Sequence, residues 1–174
     1  MKRLLILLAA LLAAACSTTS VMTAGDLDAG AKWALLPMTN HTDTPQAALS
    51  AEAMVEHRLR SLGIANLDRY PAALSRDTLF EPSERRVADD AKKWAKEQGA
   101  VYGVTGAVEE WRYKVGIDGE PAVGVTLQVV DLRNDKVVWS ASGAKSGWSR
   151  DALSNVANKL LTNLLGGLPV SASR

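Results

Sequence analysis

The feature that most constrains the fold is a block of three β-rich runs in the second half of the chain. Residues 101–115 and 122–132 are joined by residues 117–120, Ile-Asp-Gly-Glu, which are typical of a tight hairpin turn. Residues 133–135 predict a second turn, which leads into a third run over 136–143. Alternating valine and leucine in the second run predict that one face of that strand meets the core. The block therefore predicts an antiparallel meander with one buried face.

Apolar residues at helical spacing, together with short apolar runs, predict the remaining elements. They predict helices over 44–63, 83–98 and 149–165 and strands over 32–37 and 64–70. Thr44 is expected to cap the first helix, with proline at the first helical position, and Asp151 is expected in the first turn of the last helix. The order β-α-β-α-β-β-β-α predicts an α+β fold, a two-layer sandwich in which helices cover a mixed β-sheet.

The N-terminus has the features of a bacterial lipoprotein signal. Lys2 and Arg3 precede an apolar run that ends at Ala15, and Cys16 follows small residues as in a lipobox. Because a bilayer span needs about 20 apolar residues, the run is too short to remain as an anchor. We therefore expect residues 1–15 to be removed and Cys16 to carry covalent lipid. The alternative is plain cleavage after Ala15, which would leave the only cysteine as a free thiol in an oxidising compartment.

The rest of the chain is expected to form one domain behind a short tether. Residues 16–30 are small and polar and predict a lipidated N-terminus with a flexible tether, and residues 31–174 predict a single periplasmic α+β domain. Ser17 follows the cysteine where an inner-membrane retention signal would have aspartate, so we expect the periplasmic face of the outer membrane. Removing the two basic residues of the signal takes the 20 basic residues to 18 against 19 acidic ones. Such a near-neutral chain shows no attraction to nucleic acid.

No set of side chains in the sequence indicates catalysis. His41 and His57 have no metal-ligand partner at a useful spacing, and the only cysteine is assigned to lipid. Glu109 and Glu110 occupy consecutive positions of a predicted strand, so their side chains should point to opposite faces, which does not suit an acid–base pair. We expect no enzymatic activity, no metal and no cofactor beyond the lipid on Cys16. A carboxylate dyad in a periplasmic hydrolase is the remaining catalytic alternative.

Tryptophan is abundant, with five residues against a single phenylalanine. Four of the five lie in predicted strands or a helix, where core packing is expected. Trp148 instead lies in a polar segment before the last helix, close to Lys145. An amphipathic indole ring beside a lysine suits the headgroup layer of a membrane. The alternative is that Trp148 folds back onto the sheet.

Several segments resemble one family of secretion lipoproteins. The signal peptide with its lipobox and residues 32–37, 110–121, 137–143 and 147–150 are similar to the PelC family, lipoproteins of the Pel exopolysaccharide export system. A wider resemblance is to domains of curli-secretion and penicillin-binding-protein-activator lipoproteins. The resemblance implies a homo-oligomeric ring on the inner leaflet of the outer membrane, at the periplasmic entrance of a β-barrel partner. It further implies that a negatively charged funnel steers a cationic polysaccharide.

The resemblance suggests roles for particular residues. The candidate polymer-guiding acids lie near the predicted turns: Asp118, Glu120, Asp131 and Asp135. The resemblance also assigns Trp148 to a membrane-facing aromatic belt, which repetition around a ring would strengthen. No pair of strands of about ten residues is left over for a barrel wall, so we expect a peripheral ring and not a pore. The alternative function is a lipoprotein activator that docks on a periplasmic peptidoglycan synthase, although such proteins usually have a longer tether.

Overall fold

A computed structural model describes residues 17–23, 25–71, 84–115 and 119–171 of the chain. Residues 1–16, which hold the predicted signal peptide and Cys16, lie outside the described residues, as does Asp118. The elements in chain order are β1 (Ser17–Thr23), β2 (Leu27–Asp28), β3 (Trp33–Asn40), α1 (Ala47–Ser61), β4 (Leu67–Arg69), α2 (Glu84–Glu97), β5 (Tyr102–Tyr113), β6 (Pro121–Asp131), β7 (Lys136–Ser146), α3 (Leu153–Leu165) and β8 (Val170–Ser171).

Six of the strands form one mixed sheet in the order β1-β7-β6-β5-β3-β4. The predicted meander is present, since β5, β6 and β7 pair antiparallel in succession. Strand β3 runs parallel to both β4 and β5, as expected where helical crossovers connect strands of one sheet. The short strands β2 and β8 form a separate parallel pair. This arrangement confirms the predicted α+β fold with a mixed sheet.

The residues of β3 alternate between two apolar clusters on opposite faces of the sheet. Trp33 and Leu35 belong to the larger cluster, which α1 and α3 cover. Ala34 and Leu36 belong to a smaller cluster, which Ala91 and Ala95 of α2 and the end of β6 complete. The helices α1 and α3 thus form the second layer of the sandwich, while α2 covers part of the opposite face. The strand is buried on both sides, which explains its continuous apolar run.

The prediction of a flexible tether is wrong for residues 17–23. These residues form β1, an edge strand that pairs antiparallel with β7 from Ser17 opposite Lys145 to Thr23 opposite Trp139. The segment contains threonine and valine, whose branched Cβ atoms suit a strand, and it contains no proline or charge that would oppose pairing. The chain therefore joins the folded domain directly after Cys16.

The predicted helix caps are also wrong. Helix α1 begins at Ala47 after Gln46, whose left-handed backbone has φ 61°, and the Thr44 hydroxyl donates to the carbonyl oxygen of Trp111 instead of capping the helix. Helix α3 begins after Ala152, so Asp151 precedes its first turn. In both places the polar side chain binds a neighbouring backbone group, which competes with capping.

A buried carboxylate ties α1 to the sheet. Glu52 is 6% exposed and accepts the backbone N–H of Met38 at 2.9 Å. Its second oxygen accepts Nη2 of Arg69 at 2.8 Å. Met38 follows the point where the pairing of β3 with β5 shifts register. Glu52 therefore satisfies a backbone group next to an irregularity and joins α1 to both β3 and β4.

Candidate functional site

The antiparallel strands give the molecule two distinct ends. Strand β6 has 11 residues, and a rise of about 3.4 Å per residue makes it roughly 35 Å long. The connection between β5 and β6 lies at one end, where Ser146 of β7 also pairs with Ala122. We call this end, which contains residues 113–121 and 145–153, the hairpin end. The turn between β6 and β7, residues 132–135, lies at the opposite end.

The beginning of the described chain lies at the hairpin end. Ser17 pairs with Lys145, which is three residues before Trp148. Cys16 is joined to Ser17 by one peptide bond, and consecutive Cα atoms are about 3.8 Å apart. Ser17, the first described residue, therefore lies at the end of the domain that contains Lys145 and Trp148. Membrane contact by Lys145 and Trp148 stays a prediction, and both residues lie at the same end of the sheet as Ser17.

The Trp148 side chain projects into solvent from a fixed backbone. It is 81% exposed. Its own N–H donates to Oδ2 of Asp151 at 3.0 Å, and the N–H of Gly147 donates to the carbonyl oxygen of Pro121 at 2.8 Å. A Cβ at Gly147 would lie 2.5 Å from Cγ2 of Val156, so glycine allows this close approach. The alternative in which Trp148 folds back onto the sheet is not observed. Lys145 is partly buried.

Three of the other tryptophans are buried in the core, as predicted. Trp33 and Trp139 have no exposed surface, and Trp111 is 6% exposed. The Trp33 ring lies 4.6 Å from that of Tyr102, between centroids. Trp94 is partly buried and contacts Tyr70 edge to face at 5.3 Å, which helps attach α2 to the sheet.

The candidate polymer-guiding acids are split between the two ends. Glu120 lies at the hairpin end, where its carbonyl oxygen accepts the N–H of Lys114 at 2.7 Å. Asp118 belongs by sequence to the same connection, outside the described residues. Asp131 and Asp135 lie at the opposite end, about the length of β6 away. Glu120 therefore lies about one strand length from Asp131 and Asp135.

The two acids at the opposite end are matched by cations. Asp131 is 5% exposed and accepts Nε and Nη2 of Arg133 at 2.9 and 2.7 Å. The hydrogen bonds from the Arg133 side chain are the largest of the effects that hold the pKa of Asp131 below its ordinary value. Asp135 accepts Nζ of Lys96 at 2.8 Å. Asp131 thus closes a turn and Asp135 joins that turn to α2, while a polymer-guiding role for these two acids stays a prediction.

A pair of carboxylates that the sequence assigned to opposite faces lies together. A bulge in β5 between Val108 and Glu110 interrupts the alternation. A Cβ at Gly124 would lie 3.4 Å from Cβ of Glu110 and 3.6 Å from Cβ of Glu109. The expectation that these acids point apart is therefore wrong. Alternation cannot reveal a bulge, although an isolated glycine such as Gly124 in a strand is a hint of one.

Both glutamates line a cavity of about 480 Å³ on the sheet face opposite α1 and α3. His41 Nδ1 lies 2.9 Å from Oε2 of Glu109, and Nε of Arg112 donates to Glu110 at 3.1 Å. Each carboxylate thus has a basic partner. Within the described parts of the chain, no group of three or more His, Cys, Asp or Glu side chains is placed to hold a metal ion. Among the described helices, none is long and apolar enough to cross a membrane.

Comparison with solved structures identifies relatives that cover most of the chain. The chain is similar to PelC from Paraburkholderia phytofirmans, solved as a dodecamer, with 41% identity, a TM-score of 0.76, and coverage of 89% of this chain and 99% of that chain. A point variant of that protein, also a dodecamer, gives the same values. Lipoprotein GNA1162 from Neisseria meningitidis shares the fold, with 19% identity, a TM-score of 0.56, and coverage of 78% and 96%. No protein-family model and no curated protein matches the sequence.

Proposed function

The chain belongs to the PelC family, and on that premise we propose that it is a lipid-anchored, ring-forming protein that assists exopolysaccharide export. The observation that carries the proposal is the 41% identity over 99% of a relative that was solved as a dodecamer. An assembly of identical subunits on the periplasmic face of the outer membrane would surround the entrance of a β-barrel export partner. The protein would act by position and charge rather than by catalysis.

The anchor of this ring would be the lipid on Cys16, supported by Trp148 and Lys145. Two acyl chains suffice for stable membrane attachment, since each buried methylene contributes about 0.8 kcal/mol. The pairing of Ser17 with Lys145 supports this role, because it directs the lipidated residue and the exposed indole to one end of the domain. Repetition around a ring would turn a weak indole contact into a strong one.

Guidance of a cationic polysaccharide would belong to the acids of the hairpin connection, Glu120 and Asp118. A lipid-anchored subunit holds its hairpin end nearest the membrane, where the polymer would leave the ring for the barrel. A circle of carboxylates at that level would concentrate a cationic chain. Asp131 and Asp135 are not part of this proposal, because each forms an ion pair, with Arg133 and Lys96 respectively.

Charge reversal at the two ends tests the guiding role. We expect Glu120→Lys to reduce secreted polysaccharide by roughly tenfold, since steering by charge changes encounter rates by about 10 to 1,000-fold. Ring assembly should be unchanged. The matched control is Asp135→Lys, which reverses an exposed acid at the opposite end and should leave export near normal. Equal export by the two variants would contradict the proposal that the hairpin connection guides the polymer.

Replacing the exposed indole tests the membrane contact. We expect Trp148→Ala, in a Cys16→Ser background without the lipid, to lower the fraction of protein bound to phospholipid vesicles. The melting temperature should not change, because the Trp148 side chain is 81% exposed and packs against little. A large fall in melting temperature, or undiminished binding to vesicles, would count against a role for Trp148 at the membrane.

A further inference from the structure

The strand β1 leaves one edge of the main sheet open. Among the described residues, β1 pairs with β7 on one side and with no strand on the other. The free N–H and C=O groups of such an edge can pair with another chain. Residues 17–23, Ser-Thr-Thr-Ser-Val-Met-Thr, contain no charge and no proline, which are the features that commonly prevent such pairing. The edge formed by β1 is therefore suited to a partner.

The opposite edge of the sheet is protected. Strand β4 has only three residues, Leu67–Arg69. Nη2 of Arg60 donates to the carbonyl oxygen of Leu67 at 2.9 Å, and Nζ of Lys32 lies 3.0 Å from a carboxylate oxygen of Asp68. Short length and charged side chains are common ways of blocking an edge strand. Of the two edges of the described sheet, β1 thus lacks the protection that β4 has.

Apolar side chains flank this open edge on both faces of the sheet. Val21 is 49% exposed and Met22 is 54% exposed. Val21 pairs with Ala141, which belongs to the core beneath α1 and α3, so Val21 lies on the helix-covered face. Met22 pairs with Ser140 and lies on the other face. A chain placed along β1 would therefore cover apolar surface on both faces as well as the backbone edge.

The face that carries Met22 has room for a neighbouring chain. A shallow cavity of about 340 Å³ lies beside β1, and small residues form part of its lining: Thr19, Ser20, Ser142, Gly143 and Ala144. Ser20 is two residues before Met22, so the two side chains share this face. Residues of a neighbouring chain could therefore pack next to Met22 without displacing a bulky side chain of the cavity lining.

The position of Met22 favours a protein over a membrane as the partner. In the proposed function the hairpin end lies nearest the membrane, and Met22 is five residues along β1 from Ser17, which is roughly 17 Å. The headgroup layer on each side of a bilayer is only about 5 to 8 Å thick. Lipid chains also cannot form hydrogen bonds with the backbone of a strand edge.

We propose that β1 is a contact between neighbouring subunits, in which a second copy of this chain covers Val21, Met22 and the free backbone edge. This inference rests on the ring in the proposed function and identifies a surface that joins its subunits. A relative solved as a dodecamer supports a second copy as the partner, since the subunits of such an assembly contact one another. A ring joins two different surfaces, so β1 would meet a part of the neighbour other than the neighbour's own β1.

A charge at position 22 tests this contact. The mature lipoprotein would be studied in mild detergent, with its mass measured by light scattering over a range of concentrations. We expect Met22→Lys to raise the concentration needed for assembly by about tenfold or more, because a buried unpaired charge opposes association. The matched control Met22→Leu keeps an apolar side chain and should assemble like the natural protein. The circular dichroism spectrum should not change in either variant, because Met22 is about half exposed in the subunit.

Photo-cross-linking identifies what covers Met22. The lipoprotein would carry p-benzoylphenylalanine at position 22 and would be irradiated in detergent, in vesicles of phosphatidylethanolamine and phosphatidylglycerol, and in intact cells. We expect a covalent product of twice the subunit mass in all three. Products with lipid alone, or with a different protein alone, would contradict the proposal.

The outcomes separate this inference from the proposed function. If the natural protein forms a closed assembly that both Met22→Lys and Val21→Lys leave intact, the contact at β1 is wrong while the ring stands. If the natural protein is a monomer at every concentration, both the contact and the ring are wrong. If Met22→Lys fails to fold, the cross-link at position 22 decides between a second copy and another partner.

Discussion

The carboxylate of Asp131 stabilises the turn between β6 and β7. It accepts two hydrogen bonds from the Arg133 side chain and one from the Arg133 backbone N–H at 3.0 Å. We expect Asp131→Asn to lower the free energy of unfolding at pH 7 by about 1 to 3 kcal/mol, because the hydrogen bonds from Arg133 would lose their charged, buried acceptor. Denaturation in urea measures the change. The control is Asp135→Asn, which removes the exposed ion pair with Lys96. Asp135 has a left-handed backbone, which asparagine also tolerates, so we expect the free energy of unfolding to change by less than about 0.5 kcal/mol.

The pH dependence of Asp131 has a definite sign. Its pKa is lowered in the folded state, so folding favours the ionised carboxylate. The resulting stabilisation is present above the unfolded pKa of about 3.9 and is lost as the pH falls through the lower folded pKa. The stability difference between the natural protein and Asp131→Asn should therefore shrink as the pH is lowered from 7 toward 3. A constant difference over that range would contradict the ion pair.

Individual residues differ in how far the sequence reveals their environment. Burial of Trp33 and Trp139 was predictable, because strand patterns report which positions face a core. The neutralisation of Asp135 was not, since its partner Lys96 is remote in sequence and only the packing of α2 against the turn brings them together. Turn propensity shows where an acid lies along the chain but not which cation faces it. For this reason the sequence could identify the candidate acids but not the cations that pair with them.

Among the elements, β5 and β6 approach closely at Gly106. A Cβ added there would lie 2.0 Å from the carbonyl oxygen of Thr126, a backbone atom that cannot move without disturbing the sheet. We expect Gly106→Ala to destabilise the fold by about 1 to 3 kcal/mol or more. Gly124→Ala is the control, because its nearest contacts are 3.4 Å away. Equal stability of the two variants in thermal denaturation would show that the strands are not held at this spacing.

The sequence predicted the central elements better than the edges of the sheet. Alternating residues located β5, β6 and the start of β7, and helical spacing located the three helices of the described residues. Strand β7 continues to Ser146, beyond its predicted end, and β1 was missed altogether. Strand β1 was missed because its partner β7 is remote along the chain. Small polar residues such as Ser20 form a strand only when such a remote partner is present.

At the scale of the whole molecule, chain topology orients the subunit. The antiparallel order of β1, β7 and β6 returns the N-terminus to the hairpin end, beside Trp148. From the sequence, only a family resemblance connected the predicted lipid with Trp148. The register of β1 with β7 adds a physical connection, because it brings Ser17 to the end that contains Trp148. A charged funnel cannot be predicted from the sequence of one subunit, because the surfaces that face each other across a funnel belong to different subunits.

The mass of the mature lipoprotein in mild detergent tests the central proposal most directly. Native mass spectrometry should detect one closed assembly of identical subunits, with about twelve copies on the precedent of the relative from Paraburkholderia phytofirmans. The same assembly should persist on dilution, as expected for a closed ring with many equivalent interfaces. A strict monomer at every concentration, in detergent and on lipid vesicles, would contradict a ring-forming export protein and would favour the alternative of a lipoprotein activator.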